Sequence, residues 1–421
     1  MVRHLLLSGG IVSVVTGALL LAACGGSSGG SGNNNSNPTS NVQAISVSGG
    51  PVAGQIYTNG AFTSVTICAP GTSTCQTVGG VLVDTGSIGL RVLASAIPGL
   101  NLPQLTGSGT ELFNCVSFVD GSFLWGPVAQ ADVKIAGEVA SGGSVQVIQD
   151  PTGFSIPTTC SNGNANIDNQ VALGANGILG VGPEPVDCGF ACDPASGITP
   201  PNVYFACSTT GNCQVAQVAL AQQVVNPVVL FPTDNNGVIV QMQSLGANAA
   251  TASGSLIFGI GTQSNNTVPS TATVFTMDDF DNFTTNFNQQ SLNASFIDSG
   301  SNGFFFPDGS IPQCAGTSIA PGFFCPASVQ NLSAQNVGAN GKSSMVNFSV
   351  DNAINLFQSN PSDAAFPALG GPNGSGTCSA QNTGACSFDW GLPFFYGRMV
   401  FSSIDGQAQP TGLPAAPWWA Y

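Results

Sequence analysis

Val81-Leu82-Val83-Asp84-Thr85-Gly86-Ser87-Ile88-Gly89-Leu90 decides the reading of this 421-residue chain, because a near copy returns as Ser295-Phe296-Ile297-Asp298-Ser299-Gly300-Ser301-Asn302-Gly303-Phe304. Both stretches keep one order: apolar run, Asp, small hydroxyl residue, Gly, Ser, any residue, Gly. The apolar run before each acid has the character of a buried strand. The glycine-containing tail is a tight turn at the strand's end. A carboxylate there is costly unless it is hydrogen-bonded or paired. The acids lie 214 positions apart (298 minus 84), so the repeat predicts two lobes, each delivering one acid to a shared site.

Length and composition agree with that division. A chain of 421 residues is long for one ordinary domain and comfortable for two lobes with large cores. Charged residues are only 6 %, and the abundance of Gly, Ser, Asn, Thr and Val suits short strands joined by many turns. Net charge is −15, with five Lys plus Arg against twenty Asp plus Glu, so the basic footprint of a nucleic-acid partner is missing.

The N-terminus, 1–23, has a short basic start (Met1-Val2-Arg3-His4), an apolar stretch from Leu5 to Leu21 and then Leu21-Ala22-Ala23-Cys24. That is the pattern of an export signal. Its end resembles a bacterial lipobox, which would leave Cys24 carrying lipid, and Gly25 after it favours the outer membrane. Residues 24–42 follow as a Gly/Ser/Asn tether without Lys or Arg, unlike a basic inhibitory prosegment. Removing Cys24 from thirteen cysteines leaves twelve, an even number suited to an oxidising compartment. Neighbours suggest the pairs Cys68–Cys75, Cys115–Cys160, Cys188–Cys192, Cys207–Cys213, Cys314–Cys325 and Cys378–Cys386, with the four from Cys188 to Cys213 open to re-pairing. A zinc site at Cys188 and Cys192 is the weaker alternative, so no metal and no cofactor is expected.

The single histidine, His4, falls inside the export signal. A mature chain without it has no Ser-His-Asp, Cys-His or His-zinc chemistry, and catalysis must rest on carboxylates, hydroxyls and backbone dipoles.

Along the chain, Ala61 to Ile67, Val78 to Val83 and Gln130 to Ile135 read as strands, and Phe113 to Gly126 as an aromatic-rich hairpin turning at Asp120-Gly121. Gln214 to Val225 has apolar residues at helical spacing, and Val228 to Phe231 and Val238 to Met242 read as strands. The small-residue run 246–254 is the expected boundary between an N-terminal lobe, 43–245, and a C-terminal lobe, 246–421. Val350 to Phe357 is a helix or strand, Trp390 to Phe401 a central strand pair, and the aromatic C-terminus is left open.

Asp84-Thr85-Gly86-Ser87 and Asp298-Ser299-Gly300-Ser301 resemble the two signatures of pepsin-like aspartic peptidases. Asn176-Gly177-Ile178-Leu179-Gly180 is similar to the family's hydrophobic-hydrophobic-Gly element, and Trp390 to Val400 to its second copy, with Pro393 about where Gly is usual. The likeness covers roughly 55–408 and is nearest to exported bacterial lipoproteins of unassigned function. It implies a mainly β, bilobal fold with a cleft between two β-barrel-like lobes. It also implies catalytic Asp84 and Asp298, Thr85 and Ser299 bracing the loops, Gly86 and Gly300 allowing close approach, and Ser87 and Ser301 orienting the acids. The family's flap tyrosine is replaced: the flap candidates are Phe118, Gly121 and Trp125, and Phe118 has no phenol to donate.

The expected activity is hydrolysis of peptide bonds by a water activated between two aspartates, on a peptide or protein substrate, in a monomer lipid-anchored to the cell envelope. The alternative is a binding or surface-interaction module on the same fold, favoured by Phe118. A two-carboxylate glycosidase is chemically open, but its acids need no symmetric repeat. The bland reading makes both acids turn formers like Asp308 or Asp405, neither of which follows a buried run into a repeated pattern.

Overall fold

The structure, a computed structural model, describes residues 41–421 except 108, 150–152, 209–210, 375–377, 380–381 and 383–385. The export signal, Cys24 and the tether up to residue 40 lie outside the described residues.

The chain is mainly β, arranged as a sixteen-stranded sheet and a seven-stranded sheet. The larger begins with a meander. Val42–Val47 pairs with Phe62–Cys68, which pairs with Cys75–Asp84 and, at its far end, with Phe123–Ile135. Cys75–Asp84 runs parallel to Gly177–Val181, which is antiparallel to Ile88–Leu93. These strands are nearly continuous apolar runs because both faces are covered.

The expected boundary, 246–254, joins strands of one sheet. Val42–Val47 lies beside Ala252–Phe258, then come Gly237–Met242, Met399–Ser403 and Trp418–Ala420, so strands from both sides of residue 246 alternate. The C-terminal aromatics dock here, with Trp418 and Trp419 buried. The smaller sheet holds Phe283–Phe287, Gln290–Ile297, Phe304–Phe306 and Asp389–Trp390. One buried apolar cluster runs through both sheets, including Val83, Leu179, Ile297, Phe306 and Trp390.

Three expected elements are different. Trp390 to Phe401 is no strand pair: it runs from the end of Asp389–Trp390 through a 3₁₀ turn at Leu392–Phe395 into Met399–Ser403, a strand of the other sheet. Gln214 to Val225 is not an α-helix: Cys213–Val215 is a strand paired with Tyr204–Cys207, and Leu220–Gln222 is one 3₁₀ turn. Its amides bond over long range, Val218 to the Cys192 carbonyl at 2.8 Å and Val224 to the Tyr204 hydroxyl at 2.6 Å. Val228 to Phe231 is a 3₁₀ turn over Pro227–Leu230, capped by the Asn226 side chain. Val350 to Phe357 divides into the end of strand Ser343–Val350 and the helix Ala353–Ser359.

All six cysteine pairs expected from spacing are disulfides, Cys188–Cys192 and Cys207–Cys213 included. Such a framework belongs to an exported protein in an oxidising compartment. No helix among the described residues is long and apolar enough to cross a membrane.

Candidate active site

The two repeats meet. Asp84 ends a strand of the larger sheet and Asp298 follows a strand of the smaller, and each turn braces the other. The Ser299 amide donates to Thr85 Oγ1 at 2.9 Å, and the Thr85 amide to Ser299 Oγ at 3.1 Å. The hydroxyls donate onward across the junction, Thr85 to the Ile297 carbonyl at 3.1 Å and Ser299 to the Val83 carbonyl at 2.8 Å. Four reciprocal bonds between buried groups fix how the turns face each other.

Each carboxylate is held alike. Asp84 accepts from the Gly86 amide at 2.8 Å and the Ser87 hydroxyl at 2.5 Å. Asp298 accepts from the Gly300 amide at 2.7 Å and the Ser301 hydroxyl at 2.9 Å. A Cβ on Gly86 would stand 2.5 Å from Asp298 Cγ, and one on Gly300 2.6 Å from Asp84 Oδ1, so any other residue would push the acids apart.

Both carboxyls are fully buried, 0 % exposed, and each lies against the other's turn, close enough for their charges to interact. Burial raises the pKa of Asp84. Burial, then the negative charges of Asp84 and Asp389, raise that of Asp298 further. Each acid therefore makes ionising the other harder, and the titration belongs to the pair rather than to either side chain. Two acids this close hold one proton between them.

The strands beside the turns are related by the same repeat. Val83 pairs with Leu179 and Asp84 with Gly180, while Phe296 pairs with Asp389 and Ile297 with Trp390. The second apolar-Gly element is therefore Asp389-Trp390-Gly391, and Gly391, not Pro393, is the close-approach glycine. A Cβ there would lie 2.1 Å from the Gly303 carbonyl oxygen. The element therefore begins at Asp389, and its glycine lies two positions before Pro393.

The hairpin Thr110–Ser117/Phe123–Ile135 turns as expected at Asp120-Gly121, with Gly121 at φ +86°. Phe118 is buried in a cluster with Phe62, Leu82 and Ile178. Trp125 stacks on Phe113 at 5.1 Å and meets Phe205 edge-on, so it belongs to its own half's core and is no lid over the acids. A phenol comes from elsewhere. The Tyr57 hydroxyl is buried without a hydrogen-bond partner, and burial, then Asp84, Asp298 and Asp120, push its pKa upward. Its segment is tied down by Asn59, whose amide donates to the carbonyls of Asn302 and Phe366 at 2.8 and 2.9 Å. Tyr57 has no motif around it; folding brings its segment to the turn of Asp298 through the Asn59 bond to the Asn302 carbonyl.

Among the described residues no group of three or more His, Cys, Asp or Glu side chains could hold a metal ion. The chain belongs to the family described as "Protein of unknown function (DUF3443)", whose sequence profile matches residues 37–421. No curated protein matches it.

Proposed function

We propose that this chain is an aspartic endopeptidase of the cell envelope, with the sheets forming the two lobes of a pepsin-like fold and the substrate lying between them. The observation that carries this reading is the pair Asp84 and Asp298, each set against the other's turn and braced by Thr85 and Ser299 in reciprocal bonds. Turn-forming aspartates in separate hairpins would have neither the shared proton nor the mutual bracing.

The chemistry follows from the division of that proton. Ionised Asp84 takes a proton from a water placed between the carboxyls, and neutral Asp298 donates to the oxygen of the scissile carbonyl. The water's oxygen attacks the carbonyl carbon, giving a tetrahedral diol. Asp84 then gives its new proton to the leaving nitrogen as the C–N bond breaks, and Asp298 takes one back from a diol hydroxyl, which becomes the new carboxylic acid's carbonyl. No covalent enzyme intermediate is involved. Gly86 and Gly300 leave room for the water, and Ser87 and Ser301 hold the carboxyls in plane. Tyr57, whose phenol has no partner within the protein, donates to the substrate in place of the flap tyrosine that Phe118 replaces.

Export and lipid attachment at Cys24 belong to the same proposal, with the tether holding the body off the outer membrane. The test is a survey of cleavage of a denatured protein by the purified mature chain between pH 3 and 7, with and without a statine-type inhibitor. Cleavage at acid pH, abolished by the inhibitor, is expected. A second reading, a peptide-binding module without turnover, is favoured by one observation: both acids are 0 % exposed, closed off from an incoming water. It predicts peptide capture without fragments at any pH in the survey.

A further inference from the structure

Asp389 breaks the repeat. Its counterpart in the first half is Ile178, since each pairs with the residue two before that half's acid: Leu82, two before Asp84, with Ile178, and Phe296, two before Asp298, with Asp389. Ile178 is fully buried in an apolar cluster, so nothing about the backbone position requires an acid. In the second half the same position carries a carboxyl that is 1 % exposed, and neither of its oxygens has a hydrogen-bond partner. The nearby Ser301 hydroxyl donates instead to Asp298 Oδ2. The neighbouring Trp390 carbonyl accepts from the Asp298 amide at 3.0 Å, so Asp389 is carried by the strand on which the catalytic turn rests. A buried carboxyl without a partner is expensive, and a protein that could place isoleucine there keeps it for something other than packing.

We propose that Asp389 is a positioning residue for the Asp84–Asp298 pair, an acid buried beside that pair whose negative charge, once formed, keeps the last proton on it. The proposal rests on the peptidase reading above. The charged or titratable groups that bear on Asp389 are Asp84 and Asp298; Gln290–Ile297, Phe304–Phe306 and the turn Leu392–Phe395, which surround it, contribute no other carboxylate or cation. Burial, then the charge of Asp84, raises the pKa of Asp389, while Asp298 is raised by both acids. In this proposal Asp389 ionises before the pair gives up its last proton. Losing the second proton from Asp389 leaves the pair still holding one, and the active form persists to higher pH than two carboxyls alone would allow.

The experiment compares wild type with Asp389→Asn, nearly isosteric, and Asp389→Ile, which installs the residue of the twin position. In kcat/KM against pH, the acid limb should stay in place and the alkaline limb should move down by roughly half a pH unit or more in both variants. Superimposable alkaline limbs would overturn the proposal. A melting comparison reads the same acid without activity. A raised pKa means the unfolded chain ionises first, so the stability of a neutral Asp389 is present below its ordinary 3.8 and lost as pH rises. The Tm advantage of Asp389→Asn over wild type should therefore grow from pH 3 to pH 8; a flat difference would overturn the neutral buried acid. If wild type cleaves nothing, the peptidase reading fails by itself, and the melting series still decides whether Asp389 is held neutral beside the pair.

Discussion

The two halves of the molecule present the same turn on different supports. Behind Asp84 stands a buried polar network: Arg91 pairs with Asp187 at 2.9 Å and donates to Asn114 and Gln146 at 2.7 Å each, and the Tyr204 hydroxyl donates to Asp187. Behind Asp298 the same level of the strands is filled with rings, Phe388 stacked on Trp390 at 3.9 Å and on Phe306 at 4.8 Å, with Phe348 edge-on to both Phe388 and Trp390. Register makes the contrast concrete, because Arg91 faces Ile178 in the first half and Phe305 faces Asp389 in the second. Both supports give a buried carboxylate with the same amide and hydroxyl partners. The turn is thus specified by its own short sequence and by its twin, and either a satisfied polar network or a dense aromatic stack suffices to hold it rigid.

The largest effects should come where the halves are equivalent. Asp84→Asn and Asp298→Asn are each expected to lower kcat by about 10³-fold or more, and the double variant little further, because the pair acts as one unit. Steady-state kinetics on all three variants checks this, and a strong inequality between the single variants would break the equivalence.

The supports should fail differently. Asp187→Ala strands the buried Arg91 charge and should cost about 3–5 kcal/mol in denaturant unfolding, much of it recovered by adding Arg91→Leu. Phe306→Ala should cost a similar amount, about 3–5 kcal/mol, through a cavity that no polar change repairs. A double variant as unstable as Asp187→Ala alone would show the network is worth more than the penalty of a lone charge.

Tyr57→Phe removes a hydroxyl without a partner, so Tm should hold or rise slightly while kcat falls about tenfold, one hydrogen bond to substrate. A loss of Tm with kcat intact would return Tyr57 to a packing role.

Stability should also depend on pH. Asp84 and Asp298 have native pKa values above the ordinary 3.8, so the unfolded chain ionises them first; their stabilisation is full below that value and is lost as pH rises. Wild type should melt higher at pH 4 than at pH 7, with a smaller difference in Asp298→Asn. The smallest effect belongs to Glu184, whose pKa is pushed up to about 8 by burial and then by Asp281. It lines, with Asp281, Thr85 and Gly86, a cavity of about 20 Å³ at the junction of the halves. Glu184→Gln should leave Tm unchanged below pH 4.5 and raise it modestly near pH 8.

What was legible in the sequence was local or repeated. The twin turns announce themselves by order alone, and five of the six disulfides join cysteines no more than 11 positions apart, because short hairpins and loops bring neighbours together. Long-range side-chain partnerships were not legible: Arg91 and Asp187 are 96 positions apart, and Asn59 reaches Phe366 across 307. The helical spacing of Gln214 to Val225 misled because a disulfide at Cys213 and distant acceptors for Val218 and Val224 override local preference. Asp389 was hidden for another reason. An apolar-apolar-Gly pattern gives no signal when its first apolar member is an acid, and only the strand pairing with Phe296 reveals it.

The central claim, one proton and one water held between two acids, is tested most directly by incubating one unfolded protein substrate at acid pH with equal amounts of wild type and Asp84→Asn, both shown to be folded. The account predicts new peptide termini with wild type and almost none with the variant. Equal cleavage by both would contradict it.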